Sequence, residues 1–264
     1  MRKVRIKWYG TATILMEHEG TELLFDPFFP RHSKAFMPPA EQLAAVESIF
    51  ITHGHLDHAR DVPKILAQGS GNTTVYCTEA PLRALLSKGV DERCIQRIAP
   101  GSVLNKGSFT VNVLKGRHIV FDARLLARTL LSPRVLRYQK NLRDLLKAGR
   151  GFKEAKETVV YNIKAAKKTI LLMGSLNLDS NTEYPKGADL LVMPFQGRSD
   201  MSRYALTIIE RLQPKAVLLD HYDNTYPPVS SEVNTGAFIA SMLTQYPNTL
   251  VLHPKPGAEW IDFP

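Results

Sequence analysis

Apolar and polar residues alternate through the first part of the chain, a pattern typical of β-strands. The stretches concerned are "KVRIKW", "TATILMEH" and "TELLFD". The dipeptides Tyr9-Gly10 and Glu19-Gly20 separate them, so we expect strands joined by tight turns. The apolar run "VESIFIT" follows, and its nearly continuous hydrophobicity indicates a strand that is buried on both faces.

Helix-like and strand-like segments then alternate to the end of the sequence. Helical spacing of apolar residues occurs in "DVPKILAQ", "EAPLRALLSK", "SRYALTIIERL" and "EVNTGAFIASML". Strand patterns occur in "TTVYC", "CIQRI", "SFTVNVLK", "TVVYNIK", "KTILLMG", "ADLLVMP", "KAVLLD" and "TLVLH". Two β-rich halves flanked by helices predict an α/β protein, a layered αββα sandwich, in which residues 1–264 form one domain.

One segment differs from its surroundings in charge. Residues 122–158 hold ten Lys and Arg against four acidic residues, so 10 − 4 gives +6 of the formal net charge of +9. Apolar residues recur in this segment at helical spacing, as at Val135, Tyr138, Leu142 and Leu145. The pattern predicts one or two amphipathic helices inserted between strands, with most of the cations on solvated faces.

The overall composition is that of a globular protein, with 44% hydrophobic and 22% charged residues. No apolar run approaches the roughly 20 residues of a membrane span, and the first ten residues lack the apolar core of a signal peptide. Two cysteines, Cys77 and Cys94, do not make a disulfide framework. These features predict a cytoplasmic protein without a membrane partner, and the net charge favours an anionic partner.

The most informative local motif is "THGHLDHARD", which follows the buried-strand run. His53, His55, Asp57 and His58 stand in it with the spacing H-x-H-x-D-H. Side chains two residues apart on an extended chain point the same way, so His53 and His55 can face the same space. Imidazole and carboxylate groups suit Zn, Mn or Fe, and four such residues at this spacing favour a metal site over a polar loop.

A metal site needs ligands from elsewhere in the chain as well. His118 follows the strand pattern "SFTVNVLK" and a glycine, and His221 follows "KAVLLD". Both are therefore expected where loops leave a sheet edge, which is the usual location of functional residues. His18, His32 and His253 lack this context, and we expect them on the surface.

These residues resemble the metallo-β-lactamase superfamily. The signature is "GHLDHARD" with the two later strand-end histidines, and "IKWYGTATILMEHEGTELLFDPFF" is similar to the opening hairpins of the superfamily. Among its branches, the compact opening and "LLDHYD" look closest to the ascorbate-6-phosphate lactonase-like metal-dependent hydrolases. The resemblance covers nearly the whole chain and implies a four-layer αββα metallo-β-lactamase sandwich with a helical insertion at about residues 122–158.

The resemblance also implies a set of ligands for two divalent metal ions, zinc in the first place, with manganese or iron as alternatives. The first ion would be held by His53, His55 and His118. The second would be held by Asp57, His58 and His221.

Two further positions of the site follow from the same resemblance. Many members carry a metal-bridging aspartate after a strand and a glycine, but "ILLMGSLNLD" has Ser175 there. Loss of that carboxylate should weaken the second metal site relative to the first. Asp26, in "FDPFF", is interpreted either as a residue that supports a metal-bound histidine or as a simple turn or cap residue before Pro27.

These assignments imply a metal-dependent hydrolase that attacks its substrate with a metal-bound hydroxide. Asp57 would be the catalytic residue that orients this nucleophile, and the substrate would be a small anionic ester, lactone or phosphoester. Arg124 and Arg128, which follow His118, and Tyr226, which follows His221, are the candidate substrate-binding residues.

Two other functions stay open. One is a phosphodiesterase or nuclease that acts on nucleic acid, which the net charge permits although no RNA-binding motif is recognisable. The other is a regulatory protein that binds metal without turnover.

Overall fold

The computed structural model describes residues 3–148 and 151–263. Within them the strands form two seven-stranded sheets. The first sheet has the order β14-β1-β2-β3-β4-β5-β6, in which β1–β3 and β14 are antiparallel and β3–β6 are parallel neighbours. Its strands are β1 Val4–Gly10, β2 Thr13–His18, β3 Thr21–Phe25, β4 Ser48–Phe50, β5 Thr74–Cys77, β6 Ile95–Arg97 and β14 Ile261–Phe263.

The second sheet has the order β13-β12-β11-β10-β9-β8-β7. Strands β7 to β10 pair antiparallel, whereas β10 to β13 are parallel neighbours. Strands β8, β10, β11 and β12 therefore run in the same direction and end at one edge. The strands are β7 Val103–Lys106, β8 Phe109–Lys115, β9 Val159–Ala165, β10 Lys168–Met173, β11 Leu190–Pro194, β12 Ala216–Asp220 and β13 Leu250–Leu252.

Helices cover the outer face of each sheet. Those of the N-terminal half are α1 Ala40–Ala44, α2 Leu56–Ala59, α3 Val62–Gln68 and α4 Glu79–Leu86, with a 3-10 helix at Glu92–Cys94. Those of the C-terminal half are α8 Met201–Leu212 and α9 Gly236–Gln245. Three helices separate β8 from β9: α5 Ala123–Leu130, α6 Arg134–Arg137 and α7 Gln139–Ala148. The order of layers is helix, sheet, sheet, helix, which confirms the predicted αββα sandwich and its helical insertion.

Strand periodicity divides the apolar side chains between two cores. On β2, Ile14 and Met16 face the second sheet, whereas Leu15 between them faces the N-terminal helices. Between the sheets, the rings of Phe25 and Phe50 lie 5.6 and 5.5 Å from the ring of Tyr161 on β9. These contacts fix the two sheets to each other close to the histidine motif.

Several short elements escaped the sequence prediction. Strands β7 and β14 lie at sheet edges, and α1 and α2 have only five and four residues, too few for a helical period to be recognised. Helix α9 begins at Gly236 rather than within "EVNT". The expectation that His18 lies on the surface was wrong, since it is 5% exposed beside Phe109.

The insertion contains three short helices where one or two were predicted, and none of their described side chains is buried. Arg150, one of its ten basic residues, lies outside the described residues. Within the described part of the chain, no helix combines the length and apolar character needed to cross a membrane.

Candidate metal centre

The candidate site lies where several strands of both sheets end. Asp26 follows β3 and His53 follows β4, and these two strands are parallel neighbours. At the facing edge of the second sheet, His118 follows β8 and His221 follows β12. Because the carboxyl ends of strands running in one direction meet at one edge, residues distant in sequence converge here.

Two groups of three potential ligands result from this convergence. Within each group one nitrogen or oxygen atom from every residue lies within 4.8 Å of the others. The first group is His53, His55 and His118, and the second is Asp57, His58 and His221. The structure thus brings together all six residues that the sequence singled out as metal ligands.

In the first group, Nε2 of His53 and Nδ1 of His55 are 3.0 Å apart. The imidazole of His118 lies 5.1 Å from that of His53 and 4.5 Å from that of His55, measured between ring centroids. His53 is fully buried, and the other two are partly exposed to the cavity described below. Three imidazoles therefore surround one small space.

In the second group, Asp57 links the two histidines. Its Oδ2 lies 3.4 Å from Nε2 of His221, and its Oδ1 lies 3.9 Å from Nε2 of His58. Asp57 and His58 are presented by α2, which begins directly after the extended residue His55. The rings of His53 and His58 are only 4.0 Å apart, so the two groups are immediate neighbours.

Four of the histidines are held through their Nδ1 atoms. His53 Nδ1 is 3.0 Å from Thr52 Oγ1, and His58 Nδ1 is 2.7 Å from Asp26 Oδ2. Each of these Nδ1 atoms can donate its proton, because the hydroxyl proton of Thr52 is itself given to Asp26.

The other two are held by oxygens of the second sheet. His118 Nδ1 donates to the carbonyl oxygen of Ile119 at 2.8 Å, and His221 Nδ1 donates to Gln196 Oε1 at 2.8 Å. With Nδ1 protonated in each of the four rings, the Nε2 lone pair is left to accept a cation. Thr52 and Gln196 were not identified from the sequence.

Asp26 is an anchor for this arrangement. It is fully buried, and its carboxylate accepts hydrogen bonds from the Thr52 backbone at 2.7 Å, the Thr52 hydroxyl at 2.5 Å and His58. Its backbone, like that of His221, has a positive φ, +44° and +55° respectively, which is uncommon for residues other than glycine. Of the two roles considered for Asp26, the contacts fit support of a ligand histidine.

Ser175 lies at the end of β10, and its Oγ accepts a hydrogen bond from the backbone of Ile119 at 3.0 Å. It thereby holds the loop that carries His118. The preceding Gly174 packs against Thr52 so closely that a Cβ atom there would overlap with Oγ1 and Cβ of Thr52. This contact joins the second sheet to the Thr52–Asp26 pair of the first.

Electrostatics of the two groups differ. Burial lowers the pKa of His53 well below its usual value and that of His55 to about 4, so both rings stay neutral. Burial also lowers the pKa of His221, but the hydrogen bond and charge of Asp57 outweigh it and raise the pKa to about 9. His53 and His55 thus offer the neutral imidazoles that a zinc-type ion requires, whereas His221 has to release its Nε2 proton before that nitrogen can bind a cation.

Both groups open into one cavity of about 290 Å³. Its wall includes the apolar side chains Ile119, Phe121, Leu125, Leu145, Phe152 and Val229. Among the described residues that line it, Arg198 is the one arginine or lysine, and its guanidinium is paired with Asp200 at 2.6 Å. Apart from the histidines, Asp57 and Arg198, the described lining is uncharged and combines these apolar side chains with hydroxyl and amide groups, as at Thr129, Gln196 and Ser231.

The insertion forms part of this wall, but not through the residues predicted. Helix α5 turns Leu125 and Thr129 toward the cavity, while Arg124 and Arg128 are exposed and lie outside its lining. Tyr226 does line the cavity, but its hydroxyl donates to the carbonyl oxygen of Asn141 on α7 at 3.0 Å. Tyr226 thus helps to fasten the insertion over the site.

A two-sheet sandwich with paired His/Asp groups at its strand ends defines a metallo-β-lactamase fold. Residues 21–222 match the family model described as the beta-lactamase superfamily domain. The chain belongs to this superfamily. The narrower similarity to ascorbate-6-phosphate lactonase-like members stays a prediction.

Several curated proteins are similar over most of their length. A protein of Carboxydothermus hydrogenoformans called a metal-dependent hydrolase is 27% identical over 87% of this chain and 89% of its own. Another of that description, from Methylobacterium nodulans, is 24% identical over 90% of this chain and 92% of its own.

Solved structures agree in fold. A metallo hydrolase from Ignicoccus hospitalis superposes with a TM-score of 0.67 over 99% of both chains, at 16% identity. An isothiocyanate hydrolase from Delia radicum gut bacteria superposes with a TM-score of 0.63 over 98% of both chains, at 15% identity. Likeness at this level of identity concerns the fold alone.

Proposed function

We propose that this protein is a metal-dependent hydrolase with two divalent ions in one centre. The observation that carries the proposal is the convergence of two three-residue ligand groups at the floor of a single cavity. The name metal-dependent hydrolase, borne by relatives that are similar over nearly their whole length, supports it.

His53, His55 and His118 would hold one ion, and Asp57, His58 and His221 would hold the other. Bound divalent ions supply a water of lowered pKa and polarise the bond to be hydrolysed. Zinc is favoured because five of the six residues are imidazoles, while manganese and iron accept the same donor types.

Asp57 is the proposed catalytic residue. Its carboxylate is one-third exposed toward the cavity and is held close to Nε2 of both His58 and His221. From this position its oxygens can orient a water by accepting its proton in a hydrogen bond and can pass a proton to a leaving group. Ser175 has a positioning role, because it holds the His118 loop through Ile119.

The cavity wall points to a substrate with an apolar group next to its hydrolysable bond. Phe121, Leu125 and Leu145 offer hydrocarbon surface, and the guanidinium of Arg198 is already paired with Asp200. We therefore favour an ester or lactone with a small hydrocarbon body over the small anionic ester, lactone or phosphoester that the sequence suggested.

Metal analysis tests the proposal without reliance on turnover. We expect zinc titration of the metal-free protein to reach two ions per chain, and His118→Ala and His221→Ala to reach one each. His32→Ala is the matched control, since His32 lies away from both groups, and it should keep two. Loss of all metal in His221→Ala, or two ions in every variant, would contradict the assignment.

Activity is tested with a substrate panel. The zinc- and manganese-loaded protein should hydrolyse esters or lactones that carry short hydrocarbon chains faster than phosphorylated analogues of the same size. A metal-loaded protein that turns over none of the esters, lactones, thioesters or phosphodiesters offered would favour the alternative of a non-catalytic metal-binding protein.

A further inference from the structure

The insertion carries a second set of apolar side chains, which are exposed and are not part of the cavity lining. Leu125 and Leu145 line the cavity, whereas five other leucines of the same helices and their connections are largely open to solvent. The exposed fractions are 49% for Leu126, 69% for Leu130, 85% for Leu131, 72% for Leu136 and 66% for Leu146. Five exposed leucines within 21 residues are far more than scattered surface apolar residues explain.

The same helices carry a concentrated positive charge. Residues 123–148 contain seven Lys and Arg against one acid, Asp144. Among the described residues, none of these seven cations forms a salt bridge, and all except Arg134 are exposed. We call Leu126, Leu130, Leu131, Leu136 and Leu146 together with the six exposed cations the outer face of the insertion.

The helices that carry the outer face are attached to the rest of the protein by hydrogen bonds. Arg134 on α6 donates to Asn224 Oδ1 at 2.8 Å and to the Ser230 carbonyl at 3.0 Å, and Asn141 on α7 donates to the Pro227 carbonyl at 2.7 Å. These contacts bind the inner side of the insertion to the loop after His221. The exposed leucines are therefore carried by helices that are fixed to the rest of the protein.

We propose that the outer face docks on an anionic membrane surface. Short helices with exposed leucines and a surplus of Lys and Arg are suited to the interface between headgroups and acyl chains, where leucines enter the apolar layer and cations meet anionic headgroups. The sequence-based expectation of no membrane partner rested on the lack of an apolar run of spanning length, whereas helices of this kind lie in the plane of the interface and need no such run.

Charge distinguishes this partner from the two other candidates. A second copy of the chain would have to bring together two faces that each hold six exposed cations against one acid, which like-charge repulsion opposes. Nucleic acid would satisfy the cations but would leave the five leucines in water. An anionic lipid surface satisfies both features at once.

Co-sedimentation with vesicles tests the proposal on the full chain. Vesicles of phosphatidylcholine alone are compared with vesicles in which about one third of the lipid is phosphatidylglycerol. We expect binding to the anionic vesicles that weakens as salt rises, since exposed charges are screened over about 8–10 Å at physiological salt. Equal binding to both compositions, or binding to neither, would overturn the proposal.

Variants separate the two components of the surface. Leu130→Ser, Leu131→Ser and Leu136→Ser combined should weaken binding about tenfold or more, because the lost burial of three leucines far exceeds one factor of ten. Arg124→Gln with Arg128→Gln should weaken binding and reduce its salt dependence. Leu243→Ser with Leu250→Ser, which removes two exposed leucines from α9 and β13, is the matched control and should bind as the unmodified chain does.

Two further measurements show whether a loss of vesicle binding reflects misfolding or a change of oligomeric state. Circular dichroism checks folding, and Leu131→Ser alone, at the most exposed of the leucines, replaces the triple variant if that variant does not fold. Light scattering after size exclusion reports the oligomeric state. A dimer that the leucine substitutions dissociate would overturn the proposal in favour of a second copy of the chain. An RNA oligonucleotide that displaces the chain from vesicles and binds the leucine variant equally well would overturn it in favour of nucleic acid.

Discussion

Asp26 Oδ2 accepts a hydrogen bond from Nδ1 of His58 at 2.7 Å, at a position where both side chains are almost completely buried. The same oxygen accepts the hydroxyl proton of Thr52, whose Oγ1 in turn contacts Nδ1 of His53. One carboxylate of the first sheet therefore sets the orientation of one histidine in each ligand group. This relationship leads to the first prediction.

Asp26→Asn should weaken both metal binding and folding. The asparagine has one oxygen in place of two, so buried donors of Thr52 and His58 lose a partner, at a cost of about 1–3 kcal/mol in the free energy of unfolding. Loss of such a supporting group typically lowers metal affinity roughly 10–100-fold. Zinc affinity from competition with a chelator, together with thermal unfolding, measures both effects.

Asp189→Asn is the control for that variant. Asp189 also accepts a backbone hydrogen bond and pairs with a lysine, Lys215, but it lies at the other end of the second sheet. Its substitution should lower stability without changing zinc affinity. Equal zinc affinity in the two variants would show that Asp26 does not support the centre.

Asp57→Asn should abolish most of the activity while the fold persists. The substitution keeps size but removes the charge that faces His58 and His221, so the second ion loses its one anionic ligand. Turnover should fall roughly 10²–10⁴-fold, the usual effect of removing a positioned acid–base group. Steady-state kinetics on a substrate from the panel and zinc stoichiometry test this, and full turnover in the variant would exclude Asp57 from the chemistry.

Much of the geometry of this candidate site could be predicted because its residues follow simple rules. The H-x-H-x-D-H spacing is local, and His118 and His221 come directly after strand patterns, so their meeting at one sheet edge follows from topology. Thr52 and Gln196 could not be found in this way. Nothing near Gln196 in sequence marks it as the partner of His221, which is 25 residues away and meets it only through the pairing of β11 with β12.

The sequence could not predict which side chains of the insertion reach the cavity, for a different reason. Helical spacing predicts that α5 has an apolar side, but Leu125 and Leu126 are both leucines and point about 100° apart on a helix. Only packing decides that Leu125 enters the cavity and that Arg124 does not. Proximity to His118 in sequence was therefore a poor guide to which side chains reach the site.

Gly174→Ala should be strongly destabilising. A methyl group at this position would overlap with side-chain atoms of Thr52, which cannot move without breaking its hydrogen bonds to Asp26. Overpacking of this kind costs about 1–3 kcal/mol or more. Gly236→Ala is the control, because a Cβ there meets only the flexible amide of Asn234 at 3.0 Å, and its melting temperature should stay near that of the unmodified chain.

The two cysteines should differ in reactivity. Burial raises the pKa of the Cys77 thiol to about 12, and its side chain is inaccessible, so it stays protonated well above neutral pH. Cys94 is partly exposed. Iodoacetamide at pH 8 should therefore modify one thiol in the folded protein and two after denaturation, as counted by mass spectrometry. Rapid labelling of Cys77 in the folded protein would mean that the core of the first sheet opens.

Substitutions at two neighbouring residues of α5 should distinguish an effect on substrate binding from an effect of surface charge. Leu125→Asp places a charge in the cavity wall and should raise KM for a hydrocarbon ester about tenfold or more, the equivalent of losing the burial of one leucine. Metal content and kcat should change little, because Leu125 belongs to neither ligand group. Leu126→Asp, one residue along and half exposed, is the matched control and should leave KM unchanged.

Arg124→Gln with Arg128→Gln completes the comparison. If Arg124 and Arg128 bind an anionic substrate, as their sequence proximity to His118 suggests, their removal should raise KM for that substrate in a salt-dependent manner. Because both side chains lie outside the cavity lining, we now expect no change in KM for a substrate in free solution. Kinetics across a salt series decides between the two expectations. A raised KM in the arginine variant together with an unchanged KM in Leu125→Asp would support an anionic substrate and contradict the proposed hydrocarbon ester or lactone.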